Sequence, residues 1–417
     1  MKSYNGYWLV LYPFIFIFSK GKNVLFYNSQ TGDYIIDISS RIDRELKLLD
    51  NSYSIEITLD ELNGSVVSSL ISRLINNRFG ELVPRKSTLK KPISVIPQLI
   101  IDNYSLNTLS VDSFKKFSEF TELTLYINGK CSNNCANCGV SSKQHLWCFK
   151  QKGELSIERI VSFLSFIPFS GLIKLSIAGG DVFSYKHLET LCSYISNFSI
   201  AKRFVIHSLS IIKNANNLKW LFGGNNTIDV LFEPQCSVDR FAKVSELLDS
   251  NQLFSRFILE VISIEDYTYA MELADRFQRS VEIVPTYIGT NREFFVDNIY
   301  LDMESILNNR LSMREIFAHQ LINTNRFGRL ILSADGNIYT SLISEPVGTI
   351  ESDIFSIVDE QLKKGSAWRS IRNNDICEKC LFQWLCPSPS EYNEVLDQPN
   401  MCDLRSLIIL PENRTTG

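Results

Sequence analysis

The stretch that decides the fold is ELTLYINGKCSNNCANC, residues 122–138. Residues 122–127 are rich in β-favouring side chains and predict a strand. The loop behind it, from Asn128, carries Cys131, Cys135 and Cys138. Working outward, further strands are predicted at 172–177, 203–207, 227–232, 257–262 and 281–285, with helical segments at 157–167, 187–197, 238–248 and 266–277. Six strands alternating with helices predict an α/β fold, a parallel sheet curled into a partial (β/α)6 barrel. In closed barrels the reactive groups sit at the C-terminal ends of the strands. The cysteine loop directly follows the first strand, and Gly179-Gly180-Asp181 directly follows the second. His207, Glu233, Glu260 and Glu282 lie near strand ends and are candidates to touch a cofactor or substrate, although such residues are more often structural.

Three thiolates in so short a loop can wrap one face of a cubane cluster, since soft sulfur ligands suit iron–sulfur centres. A structural 4Fe–4S cluster uses four cysteines, so three leave one iron open for a substrate or cofactor. Zinc would need a fourth ligand, for which His145 is the nearest candidate. A second group, Cys377, Cys380, Cys386 and Cys402, supplies four thiolates, enough for a complete iron–sulfur cluster or for zinc. Clusters like these in a long chain read as metal sites rather than a disulfide scaffold. Cys148, Cys192 and Cys236 stand alone and read as small core hydrophobes.

The regions flanking the barrel have their own patterns. Residues 1–85 read as strands followed by short helices, the helical spacing carried by Ile42, Leu46 and Leu49 and then by Val66, Leu70, Leu74 and Ile75. The apolar run at 7–18 falls short of the ~20 residues that span a bilayer and contains Pro13, so it reads as a buried strand. It is a poor signal peptide too, with one Lys in front and no small-residue cleavage site, which suits a cytoplasmic protein. Residues 86–118 read as a linker, 119–325 as the barrel, and 326–417 as a third region. The third region opens with a hairpin (329–332 and 338–340) around Asp335-Gly336, and a helical stretch at 357–372 leads into the second cysteine group. With 417 residues, 45% hydrophobic and 21% charged, there is ample material for a core. A net charge of −4 argues against a nucleic-acid surface.

The CxxxCxxC loop after the first strand of a repeating β/α unit resembles the radical S-adenosylmethionine superfamily. Gly179-Gly180-Asp181 resembles its GGE motif, with Asp181 in place of Glu, and Asn137 stands where the family usually has an aromatic residue. The resemblance implies a 4Fe–4S cluster on Cys131, Cys135 and Cys138. It also implies S-adenosyl-L-methionine chelating the open iron, with Gly179, Gly180 and Asp181 holding its amino group, and a 5′-deoxyadenosyl radical that abstracts a substrate hydrogen. The hairpin and the second cysteine group resemble the SPASM/twitch extension of peptide-modifying radical enzymes. Here Ser341, Asp353 (after Gly348) and Ser390 occupy family cysteine positions. Cys377, Cys380, Cys386 and Cys402 correspond to the distal auxiliary cluster, which implies one auxiliary 4Fe–4S cluster rather than two. Trp384–Ser390 matches the tail of divergent, partly degenerate members found beside peptide-modifying systems. The N-terminal unit resembles the winged-helix-like leader-recognition domain of ribosomal-peptide maturases, which takes a peptide as an added strand.

The resemblance therefore implies a radical enzyme that modifies a ribosomally made precursor peptide. The runner-up is a catalytically silent partner that binds the peptide or a second maturase. Asn137 and the missing proximal-cluster cysteines favour it. A zinc-stabilised binding protein comes third.

Overall fold

The structure, a computed structural model, describes residues 6–20, 23–37, 53–59, 65–87, 90–92, 116–221, 223 and 226–402. Its first strands are β1 (Gly6–Leu11), β2 (Ile15–Lys20), β3 (Asn23–Asn28), β4 (Tyr34–Asp37), β5 (Ser54–Thr58) and β6 (Gly80–Pro84). They form two antiparallel sheets, in the orders β5-β1-β6 and β2-β3-β4. The apolar run at 7–18, expected as one strand, is therefore two strands in different sheets. Pro13 lacks an N–H and has a fixed φ, so it cannot continue a ladder, and the turn closes with Ile15 N donating to Tyr12 O at 3.0 Å. Successive side chains of β2 and β3 point to opposite faces. Ile15, Ile17, Val24 and Phe26 pack with Leu70, Ile71 and Leu74 of the helix Ser65–Asn76. Phe16, Leu25 and Tyr27 pack on the other side with Leu307, Leu311, Phe382 and Leu385. The expected helix around Ile42, Leu46 and Leu49 lies outside the described residues, as does most of 86–118.

The main sheet is mixed and has nine strands. β7 (Glu122–Tyr126), β8 (Lys174–Ala178), β9 (Ala201–His207), β10 (Asn226–Phe232), β11 (Ser255–Val261) and β12 (Val281–Pro285) lie side by side and parallel, in chain order. On the other flank of β7 comes β13 (Arg329–Leu332), also parallel to it, then β14 (Asn337–Tyr339) and β15 (Gly348–Thr349), each antiparallel to the strand before it. The predicted hairpin thus extends the same sheet. Arg329 stands opposite Glu122, and Gly336 at φ +91° supplies the turn conformation that costs other residues most.

Alternate residues of the parallel strands serve two cores. Leu123, Leu125, Leu175, Ile177, Phe204, Ile206, Val230 and Phe257 lie under the crossover helices, which include Leu188–Ile195 and Val238–Ser250. Tyr126, Ala178, Val205, Leu231 and Ile258 meet Trp147 on the opposite face. The helix Cys138–Gln144 crosses that second face from the end of β7 toward β11, where Ser141 Oγ donates to Glu260. The cavity it helps to enclose lies at the C-terminal ends of the strands. Among the described residues no helix is long and apolar enough to cross a membrane.

Candidate cluster-binding site

The loops after β7 and β8 are locked together by Asn128, which is fully buried. Its backbone oxygen accepts from Gly180 N at 2.9 Å, and its Oδ1 accepts from the same N–H at 3.1 Å. Its Nδ2 donates to Asp181 O at 3.0 Å and to Ser184 Oγ at 3.1 Å. One step on, Asp181 N donates to Lys130 O at 2.6 Å. This approach is closer than any side chain allows. A Cβ on Gly179 would stand 2.7 Å from Asn128 Oδ1, and one on Gly180 would stand 2.3 Å from Lys130 O. The two glycines therefore hold the second loop against the backbone that leads into Cys131.

Cys131, Cys135 and Cys138 line one cavity together with Gly180, which is the single residue of the glycine–aspartate triplet to do so. Cys131 Sγ accepts from Asn133 N, and Cys138 Sγ accepts from Lys150 N, each at 3.4 Å. Burial pushes the Cys135 thiol up to about 11, and Cys138, Glu233 and Cys131 push it the same way. Burial likewise raises Cys131. Thiols so placed keep their protons until a metal centre displaces them. Asp181 sits beside the cavity rather than in its lining: its Oδ1 accepts from Phe183 N at 3.2 Å, capping a short 3-10 turn. Burial raises its carboxyl, against the opposing contacts of Phe183 N and Ser210.

Of the four polar residues near strand ends, His207, Glu233 and Glu260 line the cavity. Glu282 does not; it is half exposed and pairs with Arg256 at 3.3 Å. His207 Nδ1 accepts from Leu209 N at 3.2 Å, and its Nε2 lies 3.1 Å from Glu233 Oε2. Arg240 holds the other Glu233 oxygen at 2.5 Å. Burial alone would raise Glu233, but His207, its own backbone and Arg240 together bring it to about 2. Glu260 goes the other way. Burial raises it, and contacts from Ser141, Thr286 and Asn137 offset only part of that. Asn137 thus faces a buried carboxyl.

His145, considered as a fourth zinc ligand, lies elsewhere. It stacks on Trp147 with ring centroids 4.3 Å apart and lines a separate polar cavity with Arg203, Arg329 and Ser341. Burial lowers it to about 4. Among the described residues no three His, Cys, Asp or Glu side chains close on a single metal ion. A zinc site needs all its ligands within about 2.0–2.3 Å of one atom, whereas cysteines on a cubane bind separate irons.

The second cysteine group is drawn together by local turns and one long-range pairing. Asn374 Oδ1 accepts from Cys377 N at 3.0 Å, and Cys380 N donates to Cys377 O at 3.0 Å. Phe382 N donates to Cys380 Sγ at 3.4 Å, and Cys386 N donates to Phe382 O at 3.1 Å. Cys402 returns to the group through a parallel bridge with Leu301. Burial pushes Cys386 up to about 12, and Cys380, Cys377 and Cys402 all act on it in the same sense. The group lies against the N-terminal sheet, where Phe18 meets Trp384 edge-on at 6.1 Å. Ser341 accepts from Ile343 N, Asp353 caps the helix Ile354–Leu362, and Ser390 caps Glu391–Val395 in a capping box. The three positions that lack the expected cysteines therefore hold turn and capping residues.

The sequence reading missed Cys148, Trp147, Phe149 and Ser141, which also line the first cavity. The available signal was position: Cys148 follows the cysteine loop by a single short helix. No protein-family model matches the chain, and no curated protein matches it. Among solved structures, the chain is similar to Streptococcus suis SuiB bound to precursor peptide SuiA, with 12% identity and a TM-score of 0.44 over 94% of this chain and 98% of that one. It is also similar to SuiB bound to S-adenosylmethionine, with 13% identity and a TM-score of 0.44 over 96% and 100%. A histidine-tagged anSMEcpe with bound AdoMet is similar at 13% identity and a TM-score of 0.42, over 64% and 84%.

Proposed function

We propose that this chain is a radical S-adenosylmethionine enzyme that modifies a ribosomally made peptide. The observation that carries the reading is the convergence of Cys131, Cys135, Cys138 and Gly180 on one cavity at the C-terminal ends of β9, β10 and β11. The donor set fits a cluster: three thiols of one loop, the lining histidine His207 already engaged by Leu209 N and Glu233, and an apolar wall of Trp147, Phe149 and Leu231. Cys131, Cys135 and Cys138 would hold a 4Fe–4S cluster, and the loop of Gly179, Gly180 and Asp181 would adjoin S-adenosyl-L-methionine. When bound, these groups supply the electron and the hydrogen-abstracting radical. The chain's own residues orient and shield: Arg240 and His207 fix Glu233 as a carboxylate in the cavity, and Ser141 fixes Glu260.

Cys377, Cys380, Cys386 and Cys402 would hold one auxiliary 4Fe–4S cluster in a SPASM-like extension, and Ser341, Asp353 and Ser390 leave no second. The N-terminal unit is read as a winged-helix-like peptide clamp. Among the described residues, the outer strands β5, β6, β2 and β4 of its two sheets each pair on one side only, which suits strand addition. Anaerobic reconstitution with iron and sulfide tests the whole reading. Dithionite with S-adenosylmethionine should yield 5′-deoxyadenosine, and Cys135→Ala should abolish it. Tightly held zinc in place of iron would overturn the reading.

A further inference from the structure

We propose that Cys148 is the fourth thiol of the first cysteine site, ligating the iron that Cys131, Cys135 and Cys138 leave open. S-adenosylmethionine then binds only by displacing it. This rests on the cluster reading above and adds to it a closed resting state.

The four cysteines line the same cavity. The segment that carries Cys148 is pinned on both sides of its thiol. Trp147 O accepts from the buried Tyr126 OH at 2.9 Å, Phe149 N donates to Gly179 O at 3.0 Å, and Lys150 N donates to Cys138 Sγ at 3.4 Å. Cys148 is thus held between the glycine loop and the cysteine loop, where an open iron and its ligand would meet. It forms no disulfide. A residue that served only as packing would sit within the apolar cluster of Tyr126, Val205, Leu231 and Ile258. Cys148 packs at the edge of that cluster and lines the cavity with the other thiols.

The exchange is balanced and moves no electron. The bond from iron to the Cys148 sulfur would break, bonds from the amine nitrogen and carboxylate oxygen of the methionyl group would form on the same iron, and the proton that the methionyl ammonium sheds would pass to the departing thiolate. A chain built this way protects its cluster until the cofactor opens it. If the closed state is favoured tenfold, apparent cofactor affinity falls by about the same factor.

The test uses the full chain, reconstituted anaerobically and oxidised with ferricyanide, with iron analysis and electron paramagnetic resonance. A three-cysteine cluster sheds its open iron and becomes a three-iron cluster; a four-cysteine cluster resists. Wild type should keep its iron, and Cys148→Ala should lose roughly one iron per first-site cluster and show the three-iron signal. S-adenosylmethionine should perturb the reduced first-site signal at roughly tenfold lower concentration in Cys148→Ala. Rapid iron loss from wild type itself overturns the role of Cys148, whether or not the variant folds. Equal lability in both proteins does the same. A wild-type chain that assembles no first-site cluster overturns the cluster reading and this inference together, and iron analysis tells these outcomes apart.

Discussion

Gly180→Ala should be among the most damaging single-methyl additions in the chain, for a reason that can be worked out atom by atom. The new Cβ would lie 2.3 Å from Lys130 O, 2.6 Å from Lys130 C and 2.7 Å from Gly129 C, all of them backbone atoms. Ordinary contact begins near 3.4 Å, so the two loops must part by about 1 Å. That stretches the bonds from Gly180 N to Asn128 O, now 2.9 Å, and from Asp181 N to Lys130 O, now 2.6 Å, beyond useful length. Overpacking costs ~1–3 kcal/mol and each weakened buried hydrogen bond about 1 kcal/mol, for a total of about 3–5 kcal/mol. At roughly 2 °C per kcal/mol in a chain of this size, Tm should fall by about 6–10 °C. Gly139→Ala is the control. It lies in the helix Cys138–Gln144 with nothing within 4 Å of the added Cβ, so it should be neutral or gain up to about 1 kcal/mol. Thermal melts of the metal-free proteins, followed by circular dichroism, compare them directly. Iron content after reconstitution should fall in Gly180→Ala and hold in Gly139→Ala, since Lys130 leads into Cys131. If Gly180→Ala melts within a degree of wild type, the claim that these glycines set the approach of the two loops is wrong.

Other expectations follow from the same coordinates. Asp229 is fully buried on β10 between Arg203 at 3.0 Å and Arg256 at 2.6 Å. Asp229→Asn should cost about 3 kcal/mol, the low end for a broken buried pair because both arginines reach solvent; an unchanged melt would show the pairs to be incidental. Tyr27→Phe removes the oxygen that accepts from Leu311 N at 2.9 Å and should cost ~1–3 kcal/mol. A loss under half a kcal/mol in urea titrations would count against the docking of the N-terminal sheet on the segment around Leu311. Glu233 has a folded pKa of about 2, below the ~4.3 of an unfolded glutamate. Its contribution is therefore complete above the unfolded value and disappears as pH falls through about 2. Glu233→Gln should be less stable than wild type at pH 7, with the gap closing toward pH 2; a gap independent of pH would rule out the depressed carboxyl as its cause.

The local facts were legible in the sequence. Alternation of β-favouring runs with helical spacing located the six consecutive strands β7 to β12, β12 with the predicted bounds 281–285, because side-chain periodicity is written residue by residue. The positions of Cys131, Cys135, Cys138 and Gly180 behind β7 and β8 followed from chain order, since a parallel sheet sends such loops to one end. What the chain does between distant segments was not legible. Only its place one short helix behind the cysteine loop sets Cys148 apart from Cys236, and that does not say which way it turns; the fold brings the first into the cavity and buries the second in the outer core. Glu260 falls at the end of β11 and faces the helix that crosses the sheet, whereas Glu282 falls at the start of β12, at the opposite end of the sheet from the cavity. The pairing of β13 with β7 and the seating of Phe16 and Tyr27 on Phe382 and Leu385 join residues hundreds of positions apart. Such contacts are chosen by how apolar faces close over one another in space, and periodicity says which face is apolar without saying what will cover it.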